Sequence, residues 1–221
     1  VSFGTPLAWV AHLGALVPLT LLVWDTLTGG LSYDPVRDLT QRTGRAAFIL
    51  LVLTIAVRPA VRLTGAGSLR RLARTFGLYA FGYAFLHLFV FVGLDFGFRW
   101  DLIVGGVLEK RFALIGLASF LVLLAMAATS SKGWMRRLGA MWKRIHRLVY
   151  AAGTLAMLHY LLAVKTITGT QLAWLVVVVL LFVARIPEVE ERLGALRRRG
   201  ERGASGDAEG PPPEPDPEFF G

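Results

Sequence analysis

The sequence predicts an all-α integral membrane protein, a bundle of six transmembrane helices with both termini in the cytoplasm. Three observations predict it. The 221 residues are 55% hydrophobic, with a mean hydropathy of +0.57, more than a soluble domain with a polar coat carries. The apolar residues gather into runs at roughly 7–24, 44–63, 76–94, 112–128, 147–164 and 171–185. Each run is close to the about 20 residues that a ~30 Å hydrocarbon core requires. Lysine and arginine then alternate in density between the runs. Segments 25–45, 95–111 and 165–170 hold three, three and one, whereas 58–75, 132–147 and 185–202 hold five, six and six. The denser set faces the cytoplasm, because positive charge is retained on that side.

The first run, around WVAHLGALVPL, is interrupted by His12 and Pro18. In the second, Pro59 beside Arg58 is expected to kink or end the helix. The third contains LRRLARTFGLYAFGYAFLHLF and places His87 in its later half. Nothing charged lies inside the fourth run. The fifth rises from the basic stretch WMRRLGAMWKRIHR and carries His159, and the sixth closes at residue 185. Together they make residues 1–185 one membrane domain. Residues 186–202, with EVEERLGALRRRGER at 188–202, read as a basic surface helix on the cytoplasmic side. The remainder, 203–221, reads as a disordered tail, since Pro, Gly and acid bury too little apolar surface to offset ordering entropy. Neither an internal repeat nor a cleavable signal peptide is visible.

Composition also excludes chemistry. The chain has no cysteine, so disulfides, thiolate catalysis, iron–sulfur clusters and zinc–thiolate sites are ruled out. The net charge of +9 sits beside apolar runs rather than in a stripe, which suits membrane lipid and not nucleic acid. Away from their ends the runs contain no Asp, Glu or Lys, so a carboxylate-driven ion transporter is disfavoured. The ionisable residues left at depth are His12, His87 and His159, with His146 at the cytoplasmic boundary.

Neutral imidazole tolerates a membrane and ligates haem iron. His87 lies roughly 16 Å along the third helix from Phe76, and His159 roughly 20 Å along the fifth from His146, at 1.5 Å per residue. Both therefore fall in the outer half of the bilayer, where two axial imidazoles would clamp a b-type haem. The plainer reading has each histidine hydrogen-bonded to a neighbouring helix carbonyl. Gly82 and Gly153 would leave room for a porphyrin face, or simply let helices pack closely. His146 and His159, at 100° per residue, point to different sides of a straight helix, so a stacked arrangement requires a bend near Gly153 or a haem reached from another direction.

The segments 69–89, TSSKGWMRRLGAMWKRIHRLVY (129–150) and LHYLLAVK (158–165), with WVAHLGALVPL and DPVRDLTQRTGRAA, resemble the MsrQ (YedZ) family. These are haem-binding membrane subunits of bacterial methionine sulfoxide reductase systems, within the ferric-reductase-like transmembrane superfamily. The resemblance implies a multi-pass protein of the bacterial inner membrane. It would pass electrons outward to MsrP, a periplasmic molybdenum-cofactor subunit that repairs oxidised periplasmic proteins. The donor would be the quinone pool or a cytosolic flavin reductase, and the cofactors haem b and FMN. His87 and His159 match the outer axial ligands of the family, and His146 matches its inner ligand on the fifth helix.

Relatives with two haems carry a second histidine about fourteen residues before the outer one; here that position is Ala73, beside Arg74. The inner partner could instead be His12. Alternatively, Arg74, Arg144 and Arg147 with His146 could hold a haem propionate, a flavin phosphate or a quinone head group. Trp134, Trp142 and Trp174 are expected as interfacial anchors. Two further readings are a free-standing ferric or quinone reductase, and a transporter or scaffold whose histidines are structural.

Overall fold

The computed structural model describes residues 6–206, and every element among them is helical. Residues 207–221, most of the expected tail, lie outside the described residues. In chain order the helices are α1 (Pro6–Thr28), α2 (Pro35–Thr64), α3 (Arg70–Phe89), α4 (Trp100–Glu109), α5 (Arg111–Ala128), α6 (Lys132–Leu138), α7 (Ala140–Arg147), α8 (Val149–Leu162), α9 (Gly169–Val183) and α10 (Pro187–Gly206).

Local chemistry sets the helix ends. The Asp34 carboxylate accepts the Arg37 N–H at 3.1 Å and Pro35 opens α2, satisfying donors that a helix start leaves orphaned. Gly65, at φ 71°, ends it in the left-handed region. Pro59, expected to kink or end this helix, lies buried inside it, and α2 continues to Thr64. In α1, Pro18 disturbs the ladder and α3 repairs it. The Leu19 N–H donates to the Tyr83 hydroxyl at 3.0 Å, and that hydroxyl donates to the Ala15 carbonyl at 2.7 Å. A side chain is thereby inserted into the ladder at the proline.

Four helical stretches are long and apolar enough to cross a membrane: Pro6–Thr28, Pro35–Thr64, Gly67–Asp95 and Arg111–Ala128. A fifth exists only if Gly169–Val183 and Pro187–Ala195, bent by 85°, are counted together. The fifth predicted run therefore emerges shorter than expected, whereas the sixth keeps its length but is shifted two residues earlier. α8 has 14 residues and α9 has 15, about 21–22 Å of helix each. The basic stretch before α8 is the cause: it folds as two short helices, α6 and α7, broken at Gly139 (φ 50°) and again at Leu148.

The core lies where α1, α2, α3, α5 and α8 meet, around Ala15, Ala46, Leu51, Ile55, Ala80, Tyr83, Leu123 and Ala152. Small residues dominate the closest crossings, as dispersion packing in lipid demands. The outer faces invert the pattern of a soluble protein: Val10, Leu13, Trp24, Val176 and Leu180 are all exposed. Two helix pairs make the most extensive contacts, α2 with α3 and α5 with α8. The second pair is clipped by the Ser119 hydroxyl donating to the Ala152 carbonyl at 3.0 Å.

Candidate functional site

The two helix pairs each present one histidine to the other. On α3, His87 Nδ1 lies 2.9 Å from the Thr40 carbonyl of α2. On α8, His159 Nδ1 lies 2.7 Å from the Phe112 carbonyl of α5. A carbonyl only accepts, so each Nδ1 carries the proton and donates, leaving Nε2 as a lone-pair nitrogen. Among the described residues neither Nε2 has a hydrogen-bond partner. The two rings face one another with centres 6.1 Å apart and planes at 81°.

That spacing can be tested against a shared metal. An imidazole nitrogen sits about 2 Å from a bound transition metal. With the ring centre roughly 1.1 Å behind the nitrogen, two imidazoles on opposite sides of one metal have centres roughly 6.2 Å apart. The observed separation fits. Among the described residues no three His, Cys, Asp or Glu side chains gather as a metal site. Two protein nitrogens suffice only for a metal that brings its other ligands with it, as haem iron does. The hydrogen bonds expected by the plainer reading are present; they engage Nδ1 and leave Nε2 open, the arrangement by which a carbonyl fixes the tautomer and orientation of a metal-ligating imidazole.

The glycines that make this possible are not the two singled out in the sequence. A Cβ on Gly116 would stand 2.6 Å from His159 Nδ1, and one on Gly44 would stand 3.0 Å from His87 Nδ1. Each glycine follows by one helical turn the carbonyl that its histidine uses, Phe112 or Thr40, so the bare backbone lets the ring reach the oxygen. Counting back the same number of residues from either histidine reaches its glycine, a signal present in the sequence. Gly82 faces open space, whereas Gly153 meets Ile55 Cδ1 at 2.7 Å and is a close-packing position. The expected bend near Gly153 is absent, since α8 runs unbroken through it. The chain breaks instead at Leu148, where α7 meets α8.

His146 belongs to a different environment. Its Nδ1 lies 3.1 Å from the Trp142 carbonyl and its Nε2 3.4 Å from Ser130 Oγ. Its ring stacks on Trp142, with centres 4.1 Å apart. Trp142 also donates to the Thr129 carbonyl at 3.1 Å, so it is part of this site's wall rather than an interfacial anchor. Trp174 packs against Phe48, and Trp134 remains exposed. Burial pushes the His146 imidazole below its ordinary range; the Trp142 carbonyl opposes the shift and the Arg74 charge adds to it.

A cavity of about 1060 Å³ opens beside His146. Nine arginine and lysine side chains line it and no carboxylate does, among the described residues. Arg74 and Arg147 are in the lining, and Arg74 Nε is buried without a hydrogen-bond partner. Arg144 is exposed and does not line it; its neighbour Lys143 does. Ala73, where two-haem relatives would carry a histidine, also faces this space. His12 Nδ1 lies 3.0 Å from the Tyr79 hydroxyl, and His12 is not in the lining of this cavity. The structure thus brings His87 beside His159, and His146 into one cavity with Arg74 and Arg147, a cavity that neither His12 nor Arg144 lines.

Comparison with known proteins agrees with this geometry. Residues 43–157 match the family described as the ferric reductase like transmembrane component. The chain is 40% identical to the protein-methionine-sulfoxide reductase heme-binding subunit MsrQ of Xanthomonas oryzae pv. oryzae over 163 residues, covering 71% of this chain and 75% of that one. It is 38% identical over 160 residues to the MsrQ subunit of Caulobacter vibrioides, covering 72% and 75%.

Proposed function

The chain belongs to the MsrQ family of heme-binding subunits, within the ferric-reductase-like transmembrane proteins, and on that premise we propose that it is a b-type cytochrome of the bacterial inner membrane. It would carry electrons from the cytoplasmic side, from quinone or a cytosolic flavin reductase, to a periplasmic molybdoenzyme partner, MsrP. One observation carries the reading: the facing His87 and His159 rings, 6.1 Å apart, each with Nδ1 held by a carbonyl.

In this reading His87 and His159 would hold the haem through their Nε2 nitrogens. The Thr40 and Phe112 carbonyls hold each Nδ1 proton, which raises the basicity of Nε2 and stops the rings from rotating. Haem iron, when bound, supplies one-electron redox chemistry at a potential set by these ligands and by burial. Six spans with both termini in the cytoplasm put His146, Arg74 and Arg147 at the entry side. There the arginines would neutralise an anionic inner group, whether a second haem's propionates, the phosphate of FMN or a quinone oxygen. His146 is poised as a neutral ligand or acceptor, because burial disfavours its charged form.

The test is spectroscopic. The purified protein should show a reducible low-spin b-type spectrum, and His87→Ala or His159→Ala should abolish the outer-haem signal while the protein still folds. A colourless, folded wild-type preparation would sink the reading. His146→Ala should leave the His87–His159 signal in place and lower only the content of a second cofactor.

A further inference from the structure

The cavity lining includes three arginines that no cofactor assignment covers, Arg58 and Arg62 on α2 and Arg185 in the α9–α10 bend. They converge on one carboxylate just outside that lining, Glu190 of α10. Arg58 makes a fork, with Nε 3.1 Å from Oε1 and a terminal nitrogen 3.1 Å from Oε2. Arg62 and Arg185 approach only to 3.6 and 3.5 Å. Arg185 Nε and one terminal nitrogen are buried with no hydrogen bond, and the guanidinium sits over the Tyr150 ring, 4.9 Å from its centre. Three guanidinium groups therefore share one carboxylate. Leaving buried donors of a charged group unmet is costly, so the arrangement calls for a further anion.

We propose that Arg58, Arg62 and Arg185 form a binding site for the phosphate of an anionic phospholipid, with Glu190 as an internal counter-anion that the lipid phosphate displaces or joins. Three features select a lipid over a soluble anion. The same cavity is also lined by Leu7, Val57, Val61 and Leu123, apolar surface that suits hydrocarbon continuing from a head group. All three arginines stand where helices end: α2 ends at Thr64, and Arg185 follows the end of α9. α10 turns 85° from α9, across the end of the bundle. Basic pockets between helix ends on the cytoplasmic face are where anionic head groups are recognised, and the planar guanidinium fork matches phosphate. Glu190 holds α10 over this end, so lipid binding and the seating of α10 compete for the same arginines.

The proposal rests on the membrane orientation given above but not on haem, and its test keeps the two apart. Full-length protein is purified in mild detergent and exchanged with equal amounts of phosphatidylglycerol and phosphatidylcholine of the same acyl chains, and retained lipid is read by native mass spectrometry. Wild type should keep phosphatidylglycerol in preference. Arg185→Gln should lower that retention about fivefold, and Arg58→Gln with Arg185→Gln further, as expected for loss of a cation near a lipid surface. Glu190→Gln should raise it, since the internal competitor loses its charge. Equal retention of both lipids by the wild type, which needs no variant to fold, overturns the proposal. So does displacement of phosphatidylglycerol by millimolar inorganic phosphate, which would make the ligand a soluble anion. The haem spectrum of each preparation reports separately on His87 and His159.

Discussion

At the scale of single residues, the absence of a side chain matters as much as its presence. Alanine in place of glycine ordinarily stabilises a helix interior by about 1 kcal/mol. At Gly116 the sign should reverse, because the new Cβ would stand 2.6 Å from His159 Nδ1 and push the ring off the Phe112 carbonyl. Gly116→Ala is expected to lower haem affinity by about 10- to 100-fold, the usual effect of losing an outer-shell partner, as read by haem per chain. Gly44→Ala, at 3.0 Å from His87, should do less, and Gly14→Ala, facing open space, should leave haem content unchanged. Tyr83 offers a second test at this scale. Its buried hydroxyl both accepts from Leu19 and donates to Ala15. Tyr83→Phe should therefore cost about 1–3 kcal/mol through unmet backbone groups at Pro18, seen as a lower midpoint in thermal or denaturant unfolding in detergent.

Between elements, the decisive contact is the seating of α8. Gly153 brings α8 against Ile55 of α2, and Ala152 beside it is fully buried. Gly153→Val would force a branched side chain into that crossing, a destabilisation of about 1–3 kcal/mol or more by overpacking. Because α8 also carries His159, haem content should fall together with stability. Gly153→Ala should be milder, since the atom it meets is the flexible tip of Ile55. The break at Leu148 has a related consequence. α7 and α8 are separate helices, so His146 and His159 need not obey the angular relation of one straight helix. The sequence could not reveal this. The apolar run is continuous from 147 onward, and no Pro or Gly marks the joint.

For the molecule as a whole, several carboxylates of the 25–45 and 95–111 segments are engaged within the chain. Asp25 and Asp38 both pair with Arg42, Asp34 caps α2, and Asp101 pairs with Arg99. Few of these carboxylates remain for recruiting a partner, so any docking on these segments draws on shape as well as charge. Orientation is testable directly. The proposed six-span topology with cytoplasmic termini predicts that a carboxy-terminal green fluorescent protein fusion fluoresces and an alkaline phosphatase fusion there is inactive. Fusions placed in the 95–111 segment should give the reverse, and any other pattern would overturn the six-span topology.

The sequence by itself determined the all-helical membrane class and the family, and it singled out the histidines as candidates. Apolar run length, loop charge and residue type are local quantities that need no fold to be counted. It also indicated that His87 and His159 lie at similar depth, since helical rise is fixed. It did not reveal that α8 is short, that the basic stretch divides into α6 and α7, or that Trp142 stacks on His146. Those depend on which turn breaks and which ring finds a neighbour. Only the tertiary structure decided that the two outer rings face each other 6.1 Å apart, that Gly44 and Gly116 seat them, and that His12 turns to Tyr79. Helix rotation and interhelical approach set these relations, and packing fixes both only when all the helices are present together.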